Sequence, residues 1–102
     1  MVRLIGFGVC LAILAISATQ RAAANPQALT IEACAACHGE SGIARDTEVP
    51  HLAGQNERYL YNQMLAFRSG RRQHREMRIM ARDLSLDEIA AIAAYYASLP
   101  AR

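Results

Sequence analysis

The 102 residues are 53% hydrophobic and 20% charged, with a formal net charge of +2. All eleven basic residues are arginine, against nine acids; so mild an excess gives no support to a nucleic-acid binder, which needs a basic surface on a recognisable fold. Three cysteines exclude a secreted scaffold held by several disulfides, and the length allows a single domain.

In chain order, the first predicted element is an export leader over residues 1–24. Arg3 supplies the positive start, an apolar run over residues 4–16 follows, and Ala22-Ala23-Ala24 offers the small residues at which a signal peptidase cuts. The run is shorter than the roughly 20 apolar residues of a membrane span, and Gln20 and Arg21 close it. Cleavage is expected, with no stable membrane insertion afterwards; an uncleaved amino-terminal anchor is the competing reading. Cys10 leaves with the leader. What remains, residues 25–102, is a neutral domain holding only Cys34 and Cys37. A domain so small buries a thin core and relies on a staple such as a disulfide, a metal or a cofactor.

Residues 25–102 show neither strand alternation nor an internal repeat, and they read as all-α with about three main helices. The first runs from Pro26, behind the candidate cap Asn25, to Cys37 and His38, where Gly39 ends it. A loop over residues 39–55 follows, containing Gly42, Pro50 and Gly54. The second helix begins near Asn56; Leu60, Met64 and Phe67 recur at i, i+4 and i+7, and Gly70 is its terminator. An arginine-rich connector over residues 71–83 holds Met77 and Met80. Ser85-Leu86-Asp87-Glu88 is a capping box that opens the third helix, and Ile89, Ile92, Ala93 and Tyr96 form one apolar stripe before Pro100.

Cys34-Ala35-Ala36-Cys37-His38 admits four readings. A thioredoxin-like redox pair needs a βαβ setting, which is absent. Zinc needs four ligands, and beyond the two cysteines His51 and His74 are the further candidates. A disulfide across two residues closes too short a loop to stabilise much. The fourth reading is covalent haem attachment, for which C-x-x-C-H is the specific local signature. Two thiols one helical turn apart can add to neighbouring vinyl groups of the ring, and small Ala35 and Ala36 leave its edge uncrowded. The next residue, His38, then brings an imidazole to the iron. One covalently attached haem c is the expected staple.

The opposite side of the iron decides the chemistry. An open position points to ligand binding or peroxide chemistry, whereas a second protein ligand points to electron transfer. Met64 fits core packing, His51 a solvated or hydrogen-bonded loop, and His74 the surface. Of Met77 and Met80, three residues apart, one is expected to ligate iron while the other packs. A thioether ligand favours ferrous iron and raises the potential.

Three stretches, CAACHG, VPHLAGQNERYLYNQMLAFRSGRR and EMRIMARDLSLDEIAAIAAYYASLP, follow one another as in class I c-type cytochromes. The chain resembles the small bacterial periplasmic single-haem type, whose domains also occur in tandem as two-haem chains. The resemblance implies Cys34 and Cys37 as the thioether cysteines and His38 as the proximal iron ligand. It implies Pro50 as the residue whose carbonyl accepts a hydrogen bond from the other nitrogen of His38, a contact that orients the ring. It also implies Met77, seven residues before Leu84, as the distal ligand, with Met80 at a packed apolar position and as the fallback ligand. Tyr96 resembles the aromatic that packs where terminal helices cross.

The function so implied is a periplasmic electron-transfer protein, not an enzyme, that shuttles one electron between redox protein partners. The alternative is the cytochrome subunit of an oxidoreductase complex such as a flavoprotein sulfide dehydrogenase, so monomer and subunit both stay open. Arg68, Arg71, Arg72, Arg75, Arg78 and Arg82 gather charge around the expected distal ligand. Such a run suits an acidic docking partner; a solvated face, with some guanidiniums pairing haem propionates, Glu76 or Asp83, is the competing reading.

Overall fold

The computed structural model describes Val2, Arg3, Gly6, Gly8 and residues 26–102, with side chains of the first helix described from Thr30 onward. Apart from those four isolated positions, the expected leader over residues 1–24 lies outside the described residues, as does the candidate cap Asn25. The order of elements is α1 (Pro26–His38), α2 (Glu57–Ser69), α3 (Arg75–Ala81) and α4 (Leu86–Ser98). Among the described residues there is no strand, and no helix is long and apolar enough to cross a membrane.

The helix ends are built from the residues that predict them. Asn56 accepts the Tyr59 N–H through its side chain at 2.9 Å and opens α2. Gly70 closes that helix in the left-handed conformation, φ 82°, and its N–H donates to the Phe67 carbonyl. A side chain there would strain the backbone, so glycine is the residue that lets the chain reverse. At α4 both arms of the capping box form: Glu88 N–H donates to Ser85 Oγ at 3.1 Å, and Ser85 N–H donates to the Glu88 carboxylate at 3.2 Å. A cap of this kind stabilises a helix by about 1 kcal/mol.

The connector over residues 71–83 is where the structure departs from the sequence reading. Residues Arg75–Ala81 form a helix of their own, seven residues long. Its cap is His74, in extended conformation, whose Nδ1 accepts the Met77 N–H at 3.3 Å. Histidine is outside the usual capping set of Ser, Thr, Asp and Asn, and two turns are too short to show a periodicity. The sequence therefore hides this helix.

Packing places α4 chiefly across α2, with α3 also on α2 and α1 against α4. Leu60, Ile92, Ala93 and Tyr96 form the central cluster, and Ile31, Cys34, Leu52, Tyr61, Leu84, Ala97 and Leu99 pack against it. Ile89 and Ala81 are fully buried as well. Removing a side chain such as Leu60 or Ile92 from water contributes about 1.5–3 kcal/mol. Met64, expected in the core, is only half-buried. With four alanines among the nine buried hydrophobic residues of the described part, the interior is thin there.

Tyr96 is 1% exposed, and its hydroxyl has no hydrogen-bond partner among the described residues. Its carbonyl accepts the N–H groups of Gly54 (3.0 Å) and Leu99 (3.2 Å). Burial drives its pKa well above the ordinary tyrosine value of 10, with the nearby Cys34 and Tyr95 acting in the same direction. The sign follows from linkage: the unfolded chain loses this proton near pH 10, while the folded chain keeps it. The stability due to Tyr96 is thus complete below pH 10 and is lost as pH rises above it, by at most about 1.4 kcal/mol per pH unit. Tyr96→Phe is expected to shift the alkaline unfolding midpoint upward, with neutral stability kept. Denaturant midpoints followed by circular dichroism from pH 8 into the alkaline range check this; an unchanged alkaline limb would rule Tyr96 out as its source.

Candidate functional site

The site begins on the last turn of α1. Cys34 and Cys37 lie three residues apart on neighbouring turns of one helix face, where i and i+3 side chains meet. Both are free thiols; Cys34 is half-buried against the central cluster and Cys37 is exposed. Burial pushes the Cys34 thiol pKa up, and Cys37 adds to the rise. His38 follows at the helix terminus and is 8% exposed.

Gly39 turns the chain immediately after His38. Its φ is 84°, its N–H donates to the Ala35 carbonyl at 2.9 Å, and a Cβ at this position would collide with the Ile43 carbonyl. The loop then closes on backbone bonds, with the Gly42 carbonyl accepting the N–H groups of Leu52 (2.8 Å) and Ala53 (3.0 Å). That closure brings Pro50 back to the end of α1, where its carbonyl lies 2.9 Å from His38 Nδ1. A carbonyl can only accept, so Nδ1 carries the proton and Nε2 keeps its lone pair. This is the state in which an imidazole binds a metal through Nε2.

The other two histidines are in the opposite state. His51 Nδ1 accepts the Ala44 N–H at 2.9 Å, and His74 Nδ1 accepts the Met77 N–H. In each neutral ring the proton therefore sits on Nε2, which leaves no lone pair there for iron. His74 Nδ1 also lies 3.5 Å from the Glu76 carboxylate. An ion pair there needs a protonated Nδ1, which could not accept the Met77 N–H; the extended backbone of His74 fits the capping role, and that bond describes the neutral ring.

Met77 and Met80 stand three residues apart on α3. Met77 is half-buried, whereas Met80 is 38% exposed and its neighbour Ile79 is exposed too. All six arginines of the run are exposed, yet they are not equivalent. Arg71 Nε donates to Ser69 Oγ at 3.3 Å, Arg82 faces Asp83 at 3.5 Å, and the Arg78 guanidinium lies over Gly70. Arg72 reaches back to α2, donating to Gln63 Oε1 at 2.8 Å with its guanidinium 4.6 Å from the centre of the Phe67 ring.

This donor set fits a haem better than its rivals. Among the described residues no group of three or more His, Cys, Asp or Glu side chains is gathered closely enough to hold a metal ion, so the further ligands of a zinc site are missing. Two cysteines one turn apart and not joined to each other, followed by an imidazole whose Nε2 keeps its lone pair, suit a ring fixed at its edge and ligated at its centre. The sequence expectation of a solvated or hydrogen-bonded loop histidine holds for His51, although its partner Ala44 was not foreseen, and the roles of His74 and Arg72 were missed.

Comparison with known proteins gives a match to the family described as Cytochrome c over residues 23–100. The chain is similar to a protein named Cytochrome c4 from Pseudomonas aeruginosa, 46% identical over 65 residues, which cover 64% of this chain and 32% of that one. It is similar to a Thiosulfate dehydrogenase electron acceptor from Stutzerimonas stutzeri, 40% identical over 72 residues, covering 68% of this chain and 33% of that one. A Cytochrome c-554(548) from Halomonas halodenitrificans is 42% identical over 71 residues, covering 67% of this chain and 86% of that one. The match thus spans about a third of the length of the first two relatives and most of the last.

The loop geometry yields a test of His51. His51→Ala leaves the N–H of buried Ala44 without its acceptor, an expected cost of about 1–3 kcal/mol. The melting temperature is expected to fall by about 4–8 °C for each kcal/mol, while the visible absorption of the haem-loaded protein stays as it was. A changed spectrum at unchanged stability would instead make His51 a ligand.

Proposed function

The chain belongs to the cytochrome c family, and from that premise we propose a periplasmic single-haem carrier in which His38 and Met77 are the axial ligands of the iron. Its cofactor is covalently bound haem c, and it is an electron carrier, not an enzyme. When bound, haem c supplies the redox couple, one iron exchanging one electron at a time.

The observation that carries the proposal is the hydrogen bond from His38 Nδ1 to Pro50, which leaves Nε2 its lone pair at the end of the helix that holds Cys34 and Cys37. In this reading Cys34 and Cys37 anchor the ring edge through sulfur, and the Pro50 carbonyl fixes the plane and tautomer of His38 and raises its basicity. Met77 offers a soft thioether from α3; it is the more buried of the two methionines there, and Met80 stays the fallback. Export over residues 1–24 and a domain over residues 25–102 complete the proposal, supported by the charged, apolar and small-residue order of the leader.

The proposed partner is an acidic redox protein. Arg71, Arg75 and Arg78 are exposed, and so are Ile79 and Met80 of the same short stretch, so cationic and apolar side chains reach solvent from one segment. Such a surface speeds encounter with an acidic partner, and salt suppresses the effect beyond a Debye length of about 8 Å. A second reading, an electron-accepting partner or subunit of a dehydrogenase complex, rests on the relative named Thiosulfate dehydrogenase electron acceptor.

Two experiments bear on this. Met77→Ala is expected to abolish the weak red sulfur–iron absorption of the ferric protein, lower the potential and open the ferrous iron to carbon monoxide, whereas Met80→Ala keeps the absorption. The reverse pattern would move the ligand to Met80. For docking, the rate of electron transfer to an acidic redox protein is measured across ionic strength for the native protein and for Arg71→Gln/Arg75→Gln. Arg72 is left in place because it is bonded to α2. The native rate falls with salt and the variant shows a flatter dependence; equal slopes would remove these arginines from recognition.

A further inference from the structure

A helix of seven residues does not stand by itself: isolated helices shorter than about 12–15 residues are marginal in water, so α3 exists through what it leans on. What it leans on is a relay of side chains that runs back through the turn at Gly70. The Arg72 N–H donates to the Ala66 carbonyl at 3.1 Å, which folds the chain back along α2. The Arg72 side chain then grips α2 twice, through the Gln63 amide oxygen at 2.8 Å and across the face of Phe67 at 4.6 Å. Phe67 is buried, and its ring meets the His74 ring edge-on with centroids 6.2 Å apart. His74 in turn caps α3 on the Met77 N–H. The sequence Gln63, Arg72, Phe67, His74, Met77 is one continuous path from the body of α2 to the methionine.

We propose that Arg72 is a positioning residue, which fixes the Phe67 ring and thereby seats the His74 cap, so that α3 presents Met77 at a constant place against α2. This inference rests on the reading of Met77 as the distal ligand for its functional consequence, but not for its structural one. It separates Arg72 from the other arginines of the run: a guanidinium that stacks on a ring and bonds an amide is an internal brace, whatever the remaining cations do at the surface. Lysine keeps a cation over the ring but lacks the planar fork that serves both contacts at once.

The test compares Arg72→Leu, Arg72→Lys and Met77→Ala in the haem-loaded protein. Two readouts are taken: amide hydrogen exchange at Arg78 and Arg82, whose N–H groups donate to the His74 and Arg78 carbonyls, and the red sulfur–iron absorption during denaturant titration. Arg72→Leu is expected to raise exchange at these amides about tenfold, while the α4 amides stay protected. It is also expected to move loss of the absorption to lower denaturant than loss of helicity, and Arg72→Lys recovers part of both. Native-like exchange at Arg78 and Arg82 in Arg72→Leu overturns the proposal, as does a uniform rise across α3 and α4. If Met77→Ala keeps the absorption, the ligand assignment falls, and the exchange readout still decides the role of Arg72.

Discussion

The crossing of α1 and α4 and the closure of the loop between α1 and α2 depend on the same residue, Tyr96. Its ring lies in the cluster against which Ile31 and Cys34 of α1 pack, and its carbonyl accepts the Gly54 N–H at the far end of the loop. From Gly54 the loop runs back through Ala53 and Leu52 to the Gly42 carbonyl, and within that closure Pro50 meets His38. The orientation of one imidazole is thus traced, bond by bond, to a tyrosine fifty-eight positions later in the chain.

Protonation divides the three histidines more sharply than position does. All three use Nδ1, but His38 donates from it while His51 and His74 accept at it. A single proton, placed on one ring nitrogen or the other, therefore decides which imidazole can offer Nε2 to a metal. The donor at His38 is forced because a proline carbonyl faces it. The acceptors at His51 and His74 are forced because backbone N–H groups face them.

Much of this was legible before any coordinates. The Ser85 to Glu88 box, the terminators Gly39 and Gly70, and the stripe of Ile89, Ile92, Ala93 and Tyr96 are local patterns, and local patterns survive folding when propensity and burial agree. The attachment motif was legible for the same reason, since its chemistry is confined to five consecutive residues. What stayed hidden depends on contacts between distant positions. Arg72 and Gln63 are nine residues apart and meet because Gly70 reverses the chain. His51 and Ala44 meet across a loop whose path no periodicity describes. Met64 keeps helical register with Leu60 and Phe67 and is still only half-buried, because a stripe predicts a face and not the depth of what covers it.

The loop between α1 and α2 is specified almost wholly by its own main chain. Its closing bonds run mostly between backbone groups, and the residues that matter to it are Gly39, Gly42, Pro50 and Gly54 through their main chain and His51 through its ring. Between them, Arg45, Asp46, Thr47 and Glu48 are all exposed, tied by a short turn in which Asp46 Oδ1 accepts the Glu48 N–H. Natural variation is therefore free to rewrite this tip, in length as well as in charge, while the imidazole behind it keeps its orientation. Lineages that share this scaffold can diverge there first, and a protein engineer looking for a place to graft a peptide or reopen the chain finds it at the same four residues.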